Sequence, residues 1–142
     1  MKLTPKFLSI SALALGIALP AAEAFASDAL PEGQTDNGIT YISGGIGKDE
    51  ADAMKEEAKD YPLSMIFSQN KNDEYLPNVD VMIRDKSGKV VLSAPSSGPI
   101  MLVKLPEGKY TVAAEAHGKT LYRSAEVTPM GDKRLYFHWP NA

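Results

Sequence analysis

The hydrophobic positions of this chain change their spacing near residue 63, and the change separates a helical segment from a series of strands. Before that point, apolar side chains recur at offsets that place them on one face of a helix, while nearly all other positions of the segment are charged. The apolar positions are Ala51, Met54, Ala58 and Tyr61. Pro62 disfavours helical backbone at the residue before it. The pattern therefore predicts one helix over residues 48–60.

From residue 63 onward, apolar and polar side chains alternate with a period of two, which is typical of β-strands that bury one face. Seven such segments are separated by polar stretches rich in turn-forming residues. They lie at residues 63–67, 79–83, 90–94, 100–105, 110–116, 121–127 and 135–139. Short strands at this regular spacing predict a mainly β protein, a seven-stranded antiparallel β-sandwich with one helix added on its N-terminal side.

The first 26 residues have the pattern of an export signal. Two lysines precede an apolar stretch, and small-x-small cleavage motifs follow at residues 22–24 and 24–26. The apolar stretch is shorter than the roughly 20 residues that a membrane-spanning helix needs, which favours cleavage over anchoring. Cleavage after the second motif makes Ser27 the first residue of a periplasmic or secreted protein. The chain has no cysteine, so we expect neither a lipid anchor nor a disulfide.

Two further parts lie between the signal and the alternating segments. Residues 27–38 are polar, rich in turn formers and without periodicity, which predicts a flexible leader. Residues 39–42 resemble a short strand. Together with the helix they form an extension over residues 39–62, which we expect to pack on a sandwich formed by residues 63–140.

Charge and composition narrow the classes of partner and cofactor. Without the signal, the chain has 13 basic and 17 acidic side chains, a net charge of −4. A mildly acidic chain without a basic cluster argues against nucleic acid and anionic membranes as partners. The two histidines lie 21 positions apart without a fitting carboxylate pattern, so no metal site is expected. The glycine-rich segment 44–48 lacks the spacing of a nucleotide loop, and we interpret it as a turn without a cofactor.

Residues 105–112 (LPEGKYTV) form the most specific motif of the chain. With residues 77–81 (PNVDV), 85–88 (DKSG) and Gly118, this motif resembles the carboxypeptidase regulatory-like domain over residues 63–140. The resemblance implies a transthyretin-like Greek-key sandwich and a non-catalytic module of exported or surface proteins. Hydroxyisourate hydrolase shares the transthyretin-like fold, but its terminal tyrosine-arginine-glycine-serine signature does not occur in this sequence. We therefore expect no enzymatic activity.

Three side chains near the C-terminus are the candidate binding residues. Alternation places Phe137 and Trp139 inside the sandwich, which turns Tyr136 and His138 outward. If the last two strands pair, Tyr122 joins them on one outer face. Exposed rings gain contact area at low entropic cost. We therefore expect a module that binds a protein or cell-envelope component, or alternatively a carbohydrate through this face. The three side chains can also be surface aromatics without a common role. A hydrolase is the last of the functional interpretations.

Overall fold

The computed structural model describes residues 30–141, so the predicted signal and its cleavage site lie outside the described residues. Ten strands and one helix follow in chain order: β1 (Gln34–Asp36), β2 (Ile39–Gly44), α1 (Lys48–Glu57), β3 (Leu63–Gln69), β4 (Glu74–Tyr75), β5 (Val79–Asp85), β6 (Val90–Ser96), β7 (Ile100–Val103), β8 (Gly108–Ala116), β9 (Lys119–Val127) and β10 (Lys133–Trp139). Helix α1 continues into a 3-10 turn, Ala58–Asp60. The described part of the chain contains no helix that is long and apolar enough to span a membrane.

The strands form two sheets. Sheet A has the order β1-β2-β7-β3-β10, with β4 paired to β3, and sheet B has the order β6-β5-β8-β9. Within residues 30–141, the mainly β architecture with one helix is confirmed, whereas the count of seven strands is wrong. Strands β1 and β4 lie in segments that the sequence predicts as leader and loop. The side chain of Asp36 in β1 accepts a hydrogen bond from the backbone N–H of Ser93 at 3.0 Å, so this polar strand is fixed by hydrogen bonds and not by burial.

The pairing of β10 departs from an all-antiparallel sandwich. Strand β10 runs parallel to β3, from Lys133 opposite Leu63 to Trp139 opposite Gln69. The chain leaves sheet B at the end of β9 and enters sheet A beside the start of β3, where the N–H of Lys133 donates to the carbonyl of Pro62 at 2.9 Å. Because both strands start at the same end of the sheet, they run in the same direction.

The main core lies between the two sheets. Its largest fully buried side chains come from alternate positions of strands in both sheets: Phe67, Phe137, Trp139, Leu63, Met65 and Met101 from sheet A, and Ile83, Leu92 and Val79 from sheet B. Alternation within each strand thus directs one face of each sheet inward, as the sequence predicts.

A second, smaller core lies on the outer face of sheet A. Met54 and Ala51 of α1, with Tyr61, pack there against Ile42 of β2 and against β7. All four residues of β7 are buried because sheet B covers one face of the strand and α1 the other. Strand β2 pairs with β7 inside sheet A. The segment 39–62 is therefore not an extension outside the sandwich, since it supplies an inner strand as well as the covering helix.

Candidate functional site

The three predicted binding residues lie on two different surfaces. Strand β9 pairs with β8, and β10 pairs with β3, so the last two strands do not pair with each other. Tyr122 consequently lies on the outer face of sheet B, whereas Tyr136 and His138 lie on the outer face of sheet A. The prediction of one shared aromatic face is wrong because the chain changes sheets between β9 and β10.

A tyrosine that sequence reasoning missed joins the two residues on sheet A. Tyr75 of β4 lies opposite Ser68 of β3, which lies opposite His138 of β10. These three side chains form a row on the outer face, and Tyr136 belongs to the next row. The only local signal for Tyr75 is a lone aromatic residue in a polar stretch, which by itself indicates no face of a sheet.

Lys55 of α1 completes this surface. Its ammonium group lies 5.4 Å from the centroid of the Tyr75 ring, and the contact with Tyr75 raises the pKa of the Lys55 amine. The lysine is therefore a cation at neutral pH. We call the surface formed by Lys55, Ser68, Tyr75, Tyr136 and His138 the tyrosine patch.

A hydrogen bond between Nδ1 and the Ser68 hydroxyl holds the His138 ring in position within the tyrosine patch. Its Nδ1 atom lies 2.9 Å from Ser68 Oγ and 3.2 Å from the Asp73 carboxylate. Asp73 belongs to the loop before β4 and has a φ of 52°. The loop that carries Tyr75 is thus linked through His138 to the last strand.

Sheet B carries a separate shallow hollow on its outer face, with a volume of about 240 Å³. Tyr122 lies opposite Ala113 of β8, and Ala113 lies opposite Met82 of β5. The adjoining row contains Asp80, Glu115 and Thr120. We call this surface, formed by Asp80, Met82, Ala113, Glu115, Thr120 and Tyr122, the Tyr122 hollow.

A larger hollow of about 630 Å³ lies at the end of sheet B, around Tyr110. Two of its polar side chains, Tyr110 and Asp85, make hydrogen bonds to neighbouring residues. The Tyr110 hydroxyl donates to the carbonyl of Pro106 at 2.7 Å, and burial raises the pKa of Tyr110. The Asp85 carboxylate accepts hydrogen bonds within its own turn, and the bond from Ser87 lowers the pKa of Asp85. Tyr110 is thus bonded to the corner at Pro106, and Asp85 is bonded within the turn at residues 85–88. Both side chains therefore have a structural role at this end of the sheet.

A side chain of α1 accepts hydrogen bonds from the backbone of the glycine-rich segment that precedes the helix. The Glu50 carboxylate accepts the N–H groups of Gly45 at 2.8 Å and Ile46 at 3.2 Å. This carboxylate thus occupies the place where an anion would meet these backbone donors.

Among residues 30–141, no three metal-ligating side chains come together. The second histidine, His117, lies in the β8–β9 turn with Nε2 3.2 Å from the Gln69 side chain.

No family model matches the sequence, and no curated protein matches it. Several solved chains show partial similarity, among them the two that follow. A structure titled "Crystal Structure of S.CueP" aligns with a TM-score of 0.40 and 15% identity over 52% of this chain and 58% of that one. The Bacillus anthracis TIE protein aligns with a TM-score of 0.41 and 19% identity over 56% of this chain and 16% of that one. The chain thus spans less than two thirds of each of these proteins.

Proposed function

We propose that this protein is an exported, non-catalytic binding module that holds a protein of the cell envelope through the tyrosine patch. Its sandwich is proposed to belong to the carboxypeptidase regulatory-like, transthyretin-like class, on the strength of the motif at residues 105–112. Export to the periplasm or the medium rests on the signal pattern of the first 26 residues.

One observation carries the proposed binding role. Tyr75 and Tyr136 lie on the same outer face of sheet A and remain 42% and 59% exposed, although α1 covers the neighbouring part of that face. Tyrosine is enriched at protein interfaces because its ring contributes a large contact area and its hydroxyl makes a hydrogen bond.

The polar members of the tyrosine patch suit a protein partner. Lys55 and His138 lie beside the rings and add donors at the margin of an apolar centre, which is the usual arrangement of a protein interface. Within residues 30–141, these side chains line neither the Tyr122 hollow nor the hollow around Tyr110. A partner surface fits this open patch better than a small molecule, which usually binds in a concave site.

Co-purification from an envelope extract tests the role of the patch. Purified protein, its Tyr75→Ser/Tyr136→Ser variant and a Tyr122→Ser control are compared as bait. The control changes a tyrosine on sheet B that is also exposed to solvent. We expect the original protein and the control to retain the same partner. The double variant should bind it at least about tenfold more weakly, which corresponds to a loss of roughly 1.4 kcal/mol of binding free energy.

The proposal fails if the double variant keeps its fold and still retains the partner. It also fails if the Tyr122→Ser control loses the partner to the same extent, because the binding would then not depend on sheet A. Thermal unfolding of all three proteins shows whether a loss of binding is a loss of structure, and exposed substitutions of this kind usually change stability by less than about 0.5 kcal/mol.

A further inference from the structure

The Tyr122 hollow contains two carboxylates that face each other across neighbouring strands. Asp80 of β5 is directly opposite Glu115 of β8. Side chains in this relation have Cβ atoms about 4.5 to 5.5 Å apart, and like charges there destabilise a sheet. Among residues 30–141, neither carboxylate forms an ion pair. The Arg84 guanidinium lies 3.4 Å from the Met82 sulfur at the edge of the hollow, but it forms no ion pair with either carboxylate. The hollow therefore presents two adjacent carboxylates without an ion-pair partner in the described part of the chain.

An aromatic platform lies next to these charges. Tyr122 is 64% exposed, and its cross-strand neighbour Ala113 is too short to cover the ring. The hydroxyls of Thr120 and Ser93 line the same hollow. An exposed ring beside carboxylates and hydroxyls can bind a ligand that has an apolar face and several hydroxyl or amino groups, which is the chemistry of a sugar ring.

The size of the hollow limits what it can hold. Its volume of about 240 Å³ is smaller than the roughly 300 to 1,000 Å³ of pockets that enclose small molecules. It lies on an open sheet face, so a chain can extend beyond it on either side. The hollow therefore suits one ring of a longer polymer better than an isolated small molecule.

We propose that the Tyr122 hollow binds an oligosaccharide with protonated amino groups. One sugar ring packs its C–H face on Tyr122, and its ammonium group lies between Asp80 and Glu115. Charge complementarity selects the amino sugar over a neutral one, because the ammonium relieves the repulsion between the two carboxylates. This site is separate from the tyrosine patch and does not depend on a protein partner binding there.

Isothermal titration calorimetry with a glucosamine tetramer tests the site. The titration is made at about pH 5.5, so that the amino groups of the glucosamine tetramer are protonated. The neutral cellotetraose and a lysine tetramer serve as comparison ligands. The protein variants are Tyr122→Ala, the charge-neutralising pair Asp80→Asn/Glu115→Gln, and, as the control, Met130→Ser, which changes an exposed side chain outside both surfaces.

We expect saturable binding of the glucosamine tetramer and at least tenfold weaker binding of cellotetraose. Tyr122→Ala and Asp80→Asn/Glu115→Gln should each weaken the glucosamine affinity at least tenfold, and Met130→Ser should leave it unchanged. Should Tyr122→Ala unfold, Tyr122→Leu removes the aromatic ring with a smaller loss of volume and answers the same question.

Three results would overturn the proposal. The first is that the glucosamine tetramer does not bind saturably. The second is that cellotetraose binds with the same affinity as the glucosamine tetramer. The third is that the lysine tetramer binds as tightly as the glucosamine tetramer and that loss of the Tyr122 ring does not weaken it. A failure here leaves the proposal for the tyrosine patch untouched, because the co-purification assay tests a surface on the other sheet.

The same variants give a second, independent readout. Removing one of two like charges that face each other should raise the thermal midpoint of Asp80→Asn by about 1 to 5 °C while its glucosamine binding weakens. A lower midpoint would show that the carboxylates do not repel each other, and the argument for a cationic ligand would then fail.

Discussion

At the scale of single residues, Tyr110 shows how one side chain shapes the end of the sandwich. The sequence predicts that it faces inward and bonds the backbone near the corner. Both expectations are confirmed, because the side chain is buried and its hydroxyl donates to Pro106. The sequence is sufficient to predict this hydrogen bond, because Tyr110 and Pro106 are only four residues apart.

The Tyr110→Ala substitution should lower the free energy of unfolding by about 3 kcal/mol, as expected when a large buried side chain is truncated. Tyr110→Phe keeps the ring and removes only the hydrogen bond to Pro106, so we expect a loss of about 1 kcal/mol. Urea denaturation measures both. A loss below about 1 kcal/mol for the alanine variant would contradict an inward-facing Tyr110.

At the scale of elements, the β5–β6 hairpin shows which turns local sequence predicts. The turn-forming residues 85–88 (DKSG) predict a tight turn with Gly88 at positive φ, and Gly88 has a φ of 90°. The Asp85 carboxylate accepts hydrogen bonds from the Ser87 hydroxyl at 2.6 Å and from the backbone N–H groups of Ser87 and Lys89. These bonds favour the ionised carboxylate and lower the pKa of Asp85.

The lowered pKa makes the stabilising effect of Asp85 depend on pH. Since the pKa is lower in the folded protein, the effect is complete above the unfolded value of about 3.9 and is lost as the pH falls through the folded value. The difference in unfolding free energy between the original protein and Asp85→Ala should therefore shrink in acid. Ser87→Ala, which removes the first donor, should reduce this pH dependence. Urea melts across the acidic range measure it, and a constant difference would contradict the role of Asp85.

At the scale of the whole molecule, side chains join the two sheets at both long sides of the sandwich. On one side Asp36 of sheet A binds the backbone of β6. On the other, the Trp139 indole N–H donates to the carbonyl of Lys119 in β9 at 3.0 Å, and the Arg123 guanidinium lies 5.4 Å from the centroid of the Phe137 ring. The two sheets are thus joined beyond the contacts of their inner faces.

Trp139→Ala should lower the free energy of unfolding by about 3 to 5 kcal/mol, because it removes a buried indole that packs on Phe67 and Phe137. Trp139→Phe retains an aromatic ring and should cost less. Chemical denaturation compares the two variants with the original protein. An alanine variant that loses under about 1 kcal/mol would show that Trp139 does not join the sheets.

The sequence by itself determined the properties that depend on neighbouring residues. Alternation identified Phe137 as inward and Tyr136 as outward, and the helical spacing placed Met54 on the buried face of α1. Only the tertiary structure decided which strands lie side by side, because pairing depends on backbone hydrogen bonds between distant segments that periodicity does not encode. It placed β10 beside β3, moved Tyr122 to another surface, and brought Tyr75 next to Tyr136 from a segment predicted to be a loop.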